Sequence, residues 1–268
     1  MLIFLNILAI FALLFLLFIF LCAPAARKHP DRSILKGAYI AHRGLHNIKE
    51  GVPENSLPAF KKAIEKGHAI EIDIHLTKDG EIVVFHDDDL KRVCSDPRKI
   101  EEMTLSELKE LKLSDTENRI PTLKECLNLV DGKVFLLIEF KVVKGNTKKL
   151  CETADKILKS YEGKYFIQSF YPQVLNWYKK HRPDICRGQL SATFKGESLA
   201  KVLLGKQVLN FLGRPDFASF KHEDSRSPFY RFVLLLGAEP VGWTFRSKED
   251  LWKKKEPFSA FIYENFIL

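Results

Sequence analysis

Tyr39-Ile40-Ala41-His42-Arg43-Gly44 is a short apolar run that stops on an imidazole, a guanidinium and a glycine. The run reads as a buried strand whose end presents a base, a fixed cation and an approachable backbone together. A planar guanidinium in such a place suits an anionic substrate, phosphate above all. Outward from this stretch, apolar runs alternate with helical ones from Gly37 onward, the pattern of a parallel α/β fold. Strands are predicted over 39–41, 69–74, 134–140, 165–170, 185–190, 216–220, 241–245 and 260–263. Helices are predicted over 56–66, 147–160, 173–180, 198–211, 228–236 and 247–254. Eight βα units over 37–268 match the size of a TIM (β/α)8 barrel.

The apolar run 82–85 stays outside that count. It follows the second strand through Thr77-Lys78-Asp79-Gly80, and Asp-Gly is a hairpin signal. Parallel neighbours need a crossover of a dozen residues or more, so this run pairs antiparallel with the second strand. The segment of about 76–131 then becomes an insertion after the second strand, with helices near 105–111 and 123–130. After the last strand too little chain remains for an eighth covering helix. The juxtamembrane stretch, the bilayer or a second subunit is expected to shield that edge.

Residues 1–21 hold one polar side chain, Asn6, and no charge. That length suffices to cross a bilayer as a helix. No basic residue precedes the run, and it exceeds the usual apolar core of a signal peptide. The expectation is a single-pass transmembrane anchor over 1–22, a juxtamembrane linker over 23–36 and the barrel over 37–268. Arg27, Lys28, Arg32 and Lys36 follow the span, opposed only by Asp31, which places the barrel in the cytoplasm. The net charge of +8 favours phosphorylated substrates and acidic headgroups. Because the lysines form no stripe interleaved with aromatics, nucleic acid is not an expected partner. Cys22, Cys94, Cys126, Cys151 and Cys186 are irregularly spaced without a C-x-x-C pair, and read as free thiols.

Glu71 and Asp73 lie two apart on a strand, so they face the same way. Glu139, at the end of the next barrel strand, can join them. Three converging carboxylates repel one another unless a cation sits between them. Oxygen-only ligation points to one divalent cation, Mg²⁺ or Ca²⁺. His42 and His86 each leave an apolar strand and precede a charged residue, a setting for general acid and base catalysis near neutral pH. Which one is the base stays open. Arg43 and Lys141 would hold phosphate oxygens. Asn55 reads as a helix cap, and Glu54 is placed at the metal or just behind its ligands. His29, His46, His68, His75, His181 and His222 are given no role, although the period of two aligns His75 with Asp73.

In chain order, Ala41-His42-Arg43-Gly44, Pro53-Glu54-Asn55-Ser56, Glu71-Ile72-Asp73, Phe85-His86-Asp87 and Ile138-Glu139-Phe140-Lys141 resemble the glycerophosphodiester phosphodiesterase family. Gln168-Ser169-Phe170 and Trp243-Thr244 are weaker echoes. The resemblance implies metal-dependent cleavage of glycerophosphodiesters to sn-glycerol 3-phosphate and an alcohol. It implies Glu71, Asp73 and Glu139 as ligands, His42 and His86 as acid and base, and a cyclic phosphate on the route. The residues alone equally allow attack by water. Trp243 packs on the glycerol part or in the core. In two places the chain departs from the family pattern. Phe245-Arg246 stands where Val-Asn is common, and Tyr263-Glu264-Asn265 where Thr-Asp is common. Both lie on the substrate rim and leave the alcohol group open. Three rival readings remain. One is a lysophospholipase D, favoured by the bilayer tether and Phe229-Tyr230-Arg231-Phe232. The others are a barrel-type phospholipase C and a non-catalytic headgroup-binding module.

Overall fold

In the computed structural model, which describes residues 1–26 and 30–268, eight parallel strands close on themselves. The elements in order are α1 (Leu2–Cys22), β1 (Tyr39–Ala41), α2 (Leu57–Glu65), β2 (Ala69–Leu76), β3 (Ile82–Val84), α3 (Lys91–Cys94) and α4 (Leu105–Lys109). There follow α5 (Leu123–Val130), β4 (Leu136–Phe140), α6 (Thr147–Leu158), β5 (Tyr165–Ser169), α7 (Pro172–His181), β6 (Arg187–Ser191) and α8 (Leu199–Gly205). The chain ends with α9 (Asn210–Gly213), β7 (Phe217–Lys221), α10 (Pro228–Leu235), β8 (Glu239–Phe245), α11 (Lys248–Lys254) and β9 (Ala260–Tyr263). Neighbours run β1-β2-β4-β5-β6-β7-β8-β9 and back to β1, a TIM barrel. As expected, β3 pairs antiparallel with β2 and stays outside the ring.

Alternation along the strands divides the side chains between two environments. On β2, Ile70, Ile72 and Ile74 pack outward against Phe60, Leu123 and Leu150 of the covering helices, and Glu71, Asp73 and His75 point inward. Phe135, Phe166 and Phe217 fill the lower interior, and Leu35 packs into the same cluster from below. Gly188 makes room for this filling: a Cβ there would lie 1.9 Å from the Phe217 ring. The insertion has its own small core, in which Val83, Phe85, Val93, Ile100, Leu108 and Ile120 meet.

One expectation needs correction, and one question that the sequence leaves open is answered. The helix predicted over 198–211 is broken into α8 and α9, because Gln207 takes a left-handed conformation (φ 60°) that no continuing helix admits. The edge after the last strand is shielded by the chain's own aromatics. Phe261 packs against Tyr39 at 5.6 Å and Phe245 at 5.8 Å, and Phe266 folds back to within 5.0 Å of Tyr263. Other boundaries move by a few residues. All five cysteines are free.

α1 is long and apolar enough to cross a membrane. Its last turn is attached to the barrel: Cys22 is fully buried, and Asn210 Nδ2 donates to the Cys22 carbonyl at 3.0 Å. Of the four cations used to orient the chain, Arg27 and Lys28 lie outside the described residues, as does His29. Arg32 donates to the Asp216 carbonyl at 2.8 Å, at the foot of β7.

Candidate active site

The end of β1 turns sharply into the barrel mouth. Arg43 adopts φ 55°, uncommon for a residue with a side chain, and its N–H donates to Glu71 Oε2 at 3.2 Å. Gly44 follows at φ 80°, and a Cβ there would come within 2.8 Å of Ala59 on α2. Asn55 also has positive φ; its N–H donates to the Arg43 carbonyl at 3.0 Å and its Nδ2 to Asp73 Oδ2 at 2.9 Å. The capping role expected of Asn55 belongs to Ser56, whose side chain accepts from Ala59 N–H. Asn55 instead holds a carboxylate in place.

Glu71, Asp73 and Glu139 each offer an oxygen, and these oxygens all lie within 4.8 Å of one another. β2 and β4 bring them together through the register Asp73↔Glu139. Lys141 Nζ lies 2.6 Å from Glu139 and 3.1 Å from Asp73, and Arg43 Nε lies 3.6 Å from Asp73. Burial, then the charge of Asp73, pushes the Glu71 carboxyl well above the usual range. Burial also raises Glu139, against the pull of Lys141. For Asp73 burial works in the same direction, but Lys141 and other cations outweigh it and hold the group below its usual range. Glu71 Oε1 is buried and has no hydrogen-bond partner. Three carboxylates face Lys141 and an Arg43 that is shared with Glu54, so negative charge is in excess. An all-oxygen donor set with an orphaned carboxylate oxygen and excess negative charge fits a hard divalent cation.

Both histidines are held by carboxylates. His42 Nδ1 lies 2.5 Å from Glu264 Oε2, and Arg246 Nε donates to the other Glu264 oxygen at 2.8 Å. Burial lowers the His42 imidazole from its ordinary value, although Glu264 pulls the other way. His86 Nδ1 lies 2.6 Å from Asp87 Oδ1, and Arg92 Nε donates to Asp87 Oδ2 at 2.7 Å. Arg92 also forks onto Glu54 at 2.7 and 2.8 Å, and Glu54 in turn accepts from Arg43 Nη1 at 2.7 Å. Glu54 therefore stands behind the carboxylate cluster and outside it, joining Arg43 to the His86 side. His75 Nδ1 lies 2.9 Å from Glu101 and its Nε2 3.3 Å from the His86 carbonyl, which ties the insertion to the loop that carries His86.

Trp243 is half-buried at the end of β8, edge-on to Phe170 at 5.7 Å, and Phe170 in turn lies 6.3 Å from Phe194. Its indole N–H has no partner. Beside Glu54, Arg92 and Glu264 lies a cavity of about 790 Å³. The sequence reading missed the functional places of Glu264, Arg246 and Arg92. Glu264 and Arg246 were visible as departures from a resembled pattern. Their pairing was not, because Glu264 meets Arg246 across 18 residues and His42 across 222.

The model of the Glycerophosphoryl diester phosphodiesterase family matches residues 42–265. A glycerophosphodiester phosphodiesterase of Caldanaerobacter subterraneus is 38% identical over 168 residues, 58% of this chain and 67% of that protein. The Bacillus subtilis protein YhdW is 38% identical over 225 residues, 80% of this chain and 88% of its own. A phosphodiesterase of Oleispira antarctica, solved in complex with its product sn-glycerol-3-phosphate, shares the fold at a TM-score of 0.72. That alignment is 24% identical and covers 85% of this chain and 93% of the other.

Proposed function

The chain belongs to the glycerophosphoryl diester phosphodiesterase family, and from that premise we propose that it hydrolyses glycerophosphodiesters to sn-glycerol 3-phosphate and an alcohol. The observation that carries the reading is the buried triad Glu71, Asp73 and Glu139, set among two cations and two carboxylate-held imidazoles. The product named for the Oleispira antarctica enzyme supports the same chemistry. Held by the triad, Mg²⁺ or Ca²⁺ would polarise the phosphoryl group and lower the pKa of the attacking hydroxyl.

The remaining steps belong to the chain's own residues. Arg43 and Lys141 stabilise charge building on the phosphoryl oxygens. The Nδ1–H of a neutral His42 donates to Glu264, which leaves Nε2 with a lone pair to take the proton of the nucleophile. His86, steadied by Asp87, returns a proton to the departing alcohol. Trp243 packs beside the glycerol part. The nucleophile is the substrate's own glycerol 2-hydroxyl, which needs no separate binding event. Its attack expels the alcohol and leaves a 2,3-cyclic phosphate. A water deprotonated by His86 then opens this ring to sn-glycerol 3-phosphate, while His42 returns its proton to the 2-oxygen. A deoxy analogue lacking that hydroxyl is expected to be inert; rapid hydrolysis of it would mean that water attacks instead.

The direct test of function is alcohol release from glycerophosphocholine and from lysophosphatidylcholine, each with divalent ion and with chelator. Turnover of the first alone supports the main reading, and absence of both outcomes removes it. Preference for the second supports a lysophospholipase D, a reading favoured by the apolar helix fixed to the barrel and the Phe170, Phe194 and Trp243 wall.

The pH profile follows from the His42 environment. Because burial lowers its pKa, the neutral base persists as pH falls, and the acid limb of turnover is expected below about 6.5. Glu264 favours the protonated ring, so Glu264→Gln is expected to move that limb to lower pH while reducing turnover. An acid limb unmoved by the substitution would remove Glu264 as the orienting group.

α1 would anchor the enzyme as a single span, with Met1 outside and the barrel in the cytoplasm. Arg32 and Lys36, which follow it in the chain, and Arg214, which donates to the Ala23 carbonyl at its C-terminal end, support that orientation. Protease added to intact cells is expected to spare the barrel, and digestion would reverse the topology.

A further inference from the structure

We propose that the flank built from α8 and α10 rests on anionic phospholipid, so that the barrel itself, and not α1 alone, contacts the bilayer. The proposal builds on the membrane-spanning reading of α1. A helix of 21 residues is about 32 Å long at ~1.5 Å per residue, against a hydrocarbon core of about 30 Å. Residues 2–17 are exposed throughout, but alone they reach only about 24 Å at the same rise. The last turn must complete the span, and it is packed onto the barrel. Phe18 stacks on Phe232 at 5.2 Å and meets Phe229 at 6.2 Å, both on α10. Phe20 lies 6.3 Å from Phe211 on α9. Bringing that turn to the hydrocarbon boundary brings these barrel residues with it.

The surface around the contact is built accordingly. Outside α1, the two most exposed large hydrophobic side chains among the described residues are Leu235 at 85% and Leu199 at 74%. Leu235 is three residues after Phe232 and shares its face of α10. Leu199 lies seven residues before Lys206 on the neighbouring α8 segment, and the Lys206 ammonium sits 5.6 Å over the Phe229 ring. Cations rim the patch. Arg214 donates to the Phe20 and Ala23 carbonyls at 2.7 and 2.9 Å, which caps the C-terminal end of α1, and Arg231 is exposed. Lys201 is paired with Glu197 and adds less. Apolar side chains within a basic rim match the boundary between acyl chains and acidic headgroups. A second copy docked symmetrically there would set the same cations against each other.

The test uses the full chain, with Cys94→Ser, in vesicles of phosphatidylcholine and phosphatidylserine. An environment-sensitive fluorophore is attached in turn at Leu199→Cys, Leu235→Cys, Phe11→Cys and, on the far α6 side, Lys159→Cys. Quenching by lipids spin-labelled near the headgroup is expected to be several-fold stronger at 199 and 235 than at 159. Position 11, near mid-span, is read instead with lipids spin-labelled at the end of the acyl chain. Combining Lys206→Glu with Arg231→Glu is expected to weaken it. If 11 is quenched while 199 and 235 behave like 159, α1 spans and the seated flank is wrong. If 11 is not quenched, the spanning reading fails; quenching at 199 and 235 would then still support lipid contact, and its absence would overturn it. Self-quenching that grows with protein density, without lipid quenching, identifies a second copy on this face and overturns the proposal.

Discussion

Glu71→Gln is expected to abolish turnover and leave the metal-free protein at least as stable as before. The triad places three carboxylates within 4.8 Å of one another, and Glu71 keeps a buried oxygen with no partner. Replacing it with a neutral amide of the same shape removes like-charge repulsion from a closed site. The same change removes one of three donors for a divalent ion, which is expected to contribute several kcal/mol to transition-state stabilisation, or about 10³-fold in rate. Asp73→Asn is expected to match this loss of turnover with the opposite effect on stability. Asp73 pairs with Lys141 at 3.1 Å and accepts from Asn55, so its replacement takes from the buried Lys141 one of its two counter-charges, leaving only Glu139. Breaking such a buried pair costs about 3 kcal/mol. Thermal melts separate the cases. In wild-type protein, Mg²⁺ or Ca²⁺ at ~100 times its Kd adds about 2.7 kcal/mol, a Tm rise of roughly 5–10 °C for a domain of this size. Neither variant is expected to show that rise. Wild-type protein that keeps full turnover in excess EDTA would end the metal reading.

The clustered carboxylates were legible because strand periodicity is local. Glu71 and Asp73 declare a common face within three residues, and Glu139 follows from strand order alone. β9 and the antiparallel β3 were legible for the same reason. What could not be read depends on contacts that the chain makes only when closed. Whether Asn55 caps α2 or holds Asp73 is decided by the left-handed turns at Arg43 and Asn55, which face each other across the mouth. The shielding of β9 required knowing that Phe266 folds back on Tyr263. The break at Gln207 is announced only by Gly205 two residues earlier, a signal too weak to end a helix by itself. The two rim departures, Arg246 and Glu264, read separately as changes in specificity. Together they are an ion pair at 2.8 Å whose carboxylate also holds His42, so the departure from the resembled pattern reaches that imidazole.

The histidines provide the second large effect, because their surroundings give them unequal work. His42→Ala and His86→Ala are each expected to lose on the order of 10²–10⁴ in turnover, the usual contribution of a positioned acid or base. Both variants should keep the metal-dependent rise in Tm, since neither imidazole belongs to the triad. The two differ in their response to the leaving group. A glycerophosphodiester whose alcohol is p-nitrophenol departs without a proton and needs no acid. On that substrate His86→Ala is expected to recover most of its activity. His42→Ala is not, because the nucleophile must still lose its proton to Nε2. Recovery by His42→Ala instead would exchange the two roles and separate the Glu264 carboxylate from base catalysis. Equal failure of both variants on both substrates would mean that the imidazoles act in concert in one step. In that case the network from Arg43 through Glu54 and Arg92 to Asp87 couples the phosphate site to His86 directly. Glu54→Gln would then be expected to reproduce part of the His86→Ala defect on the natural substrate.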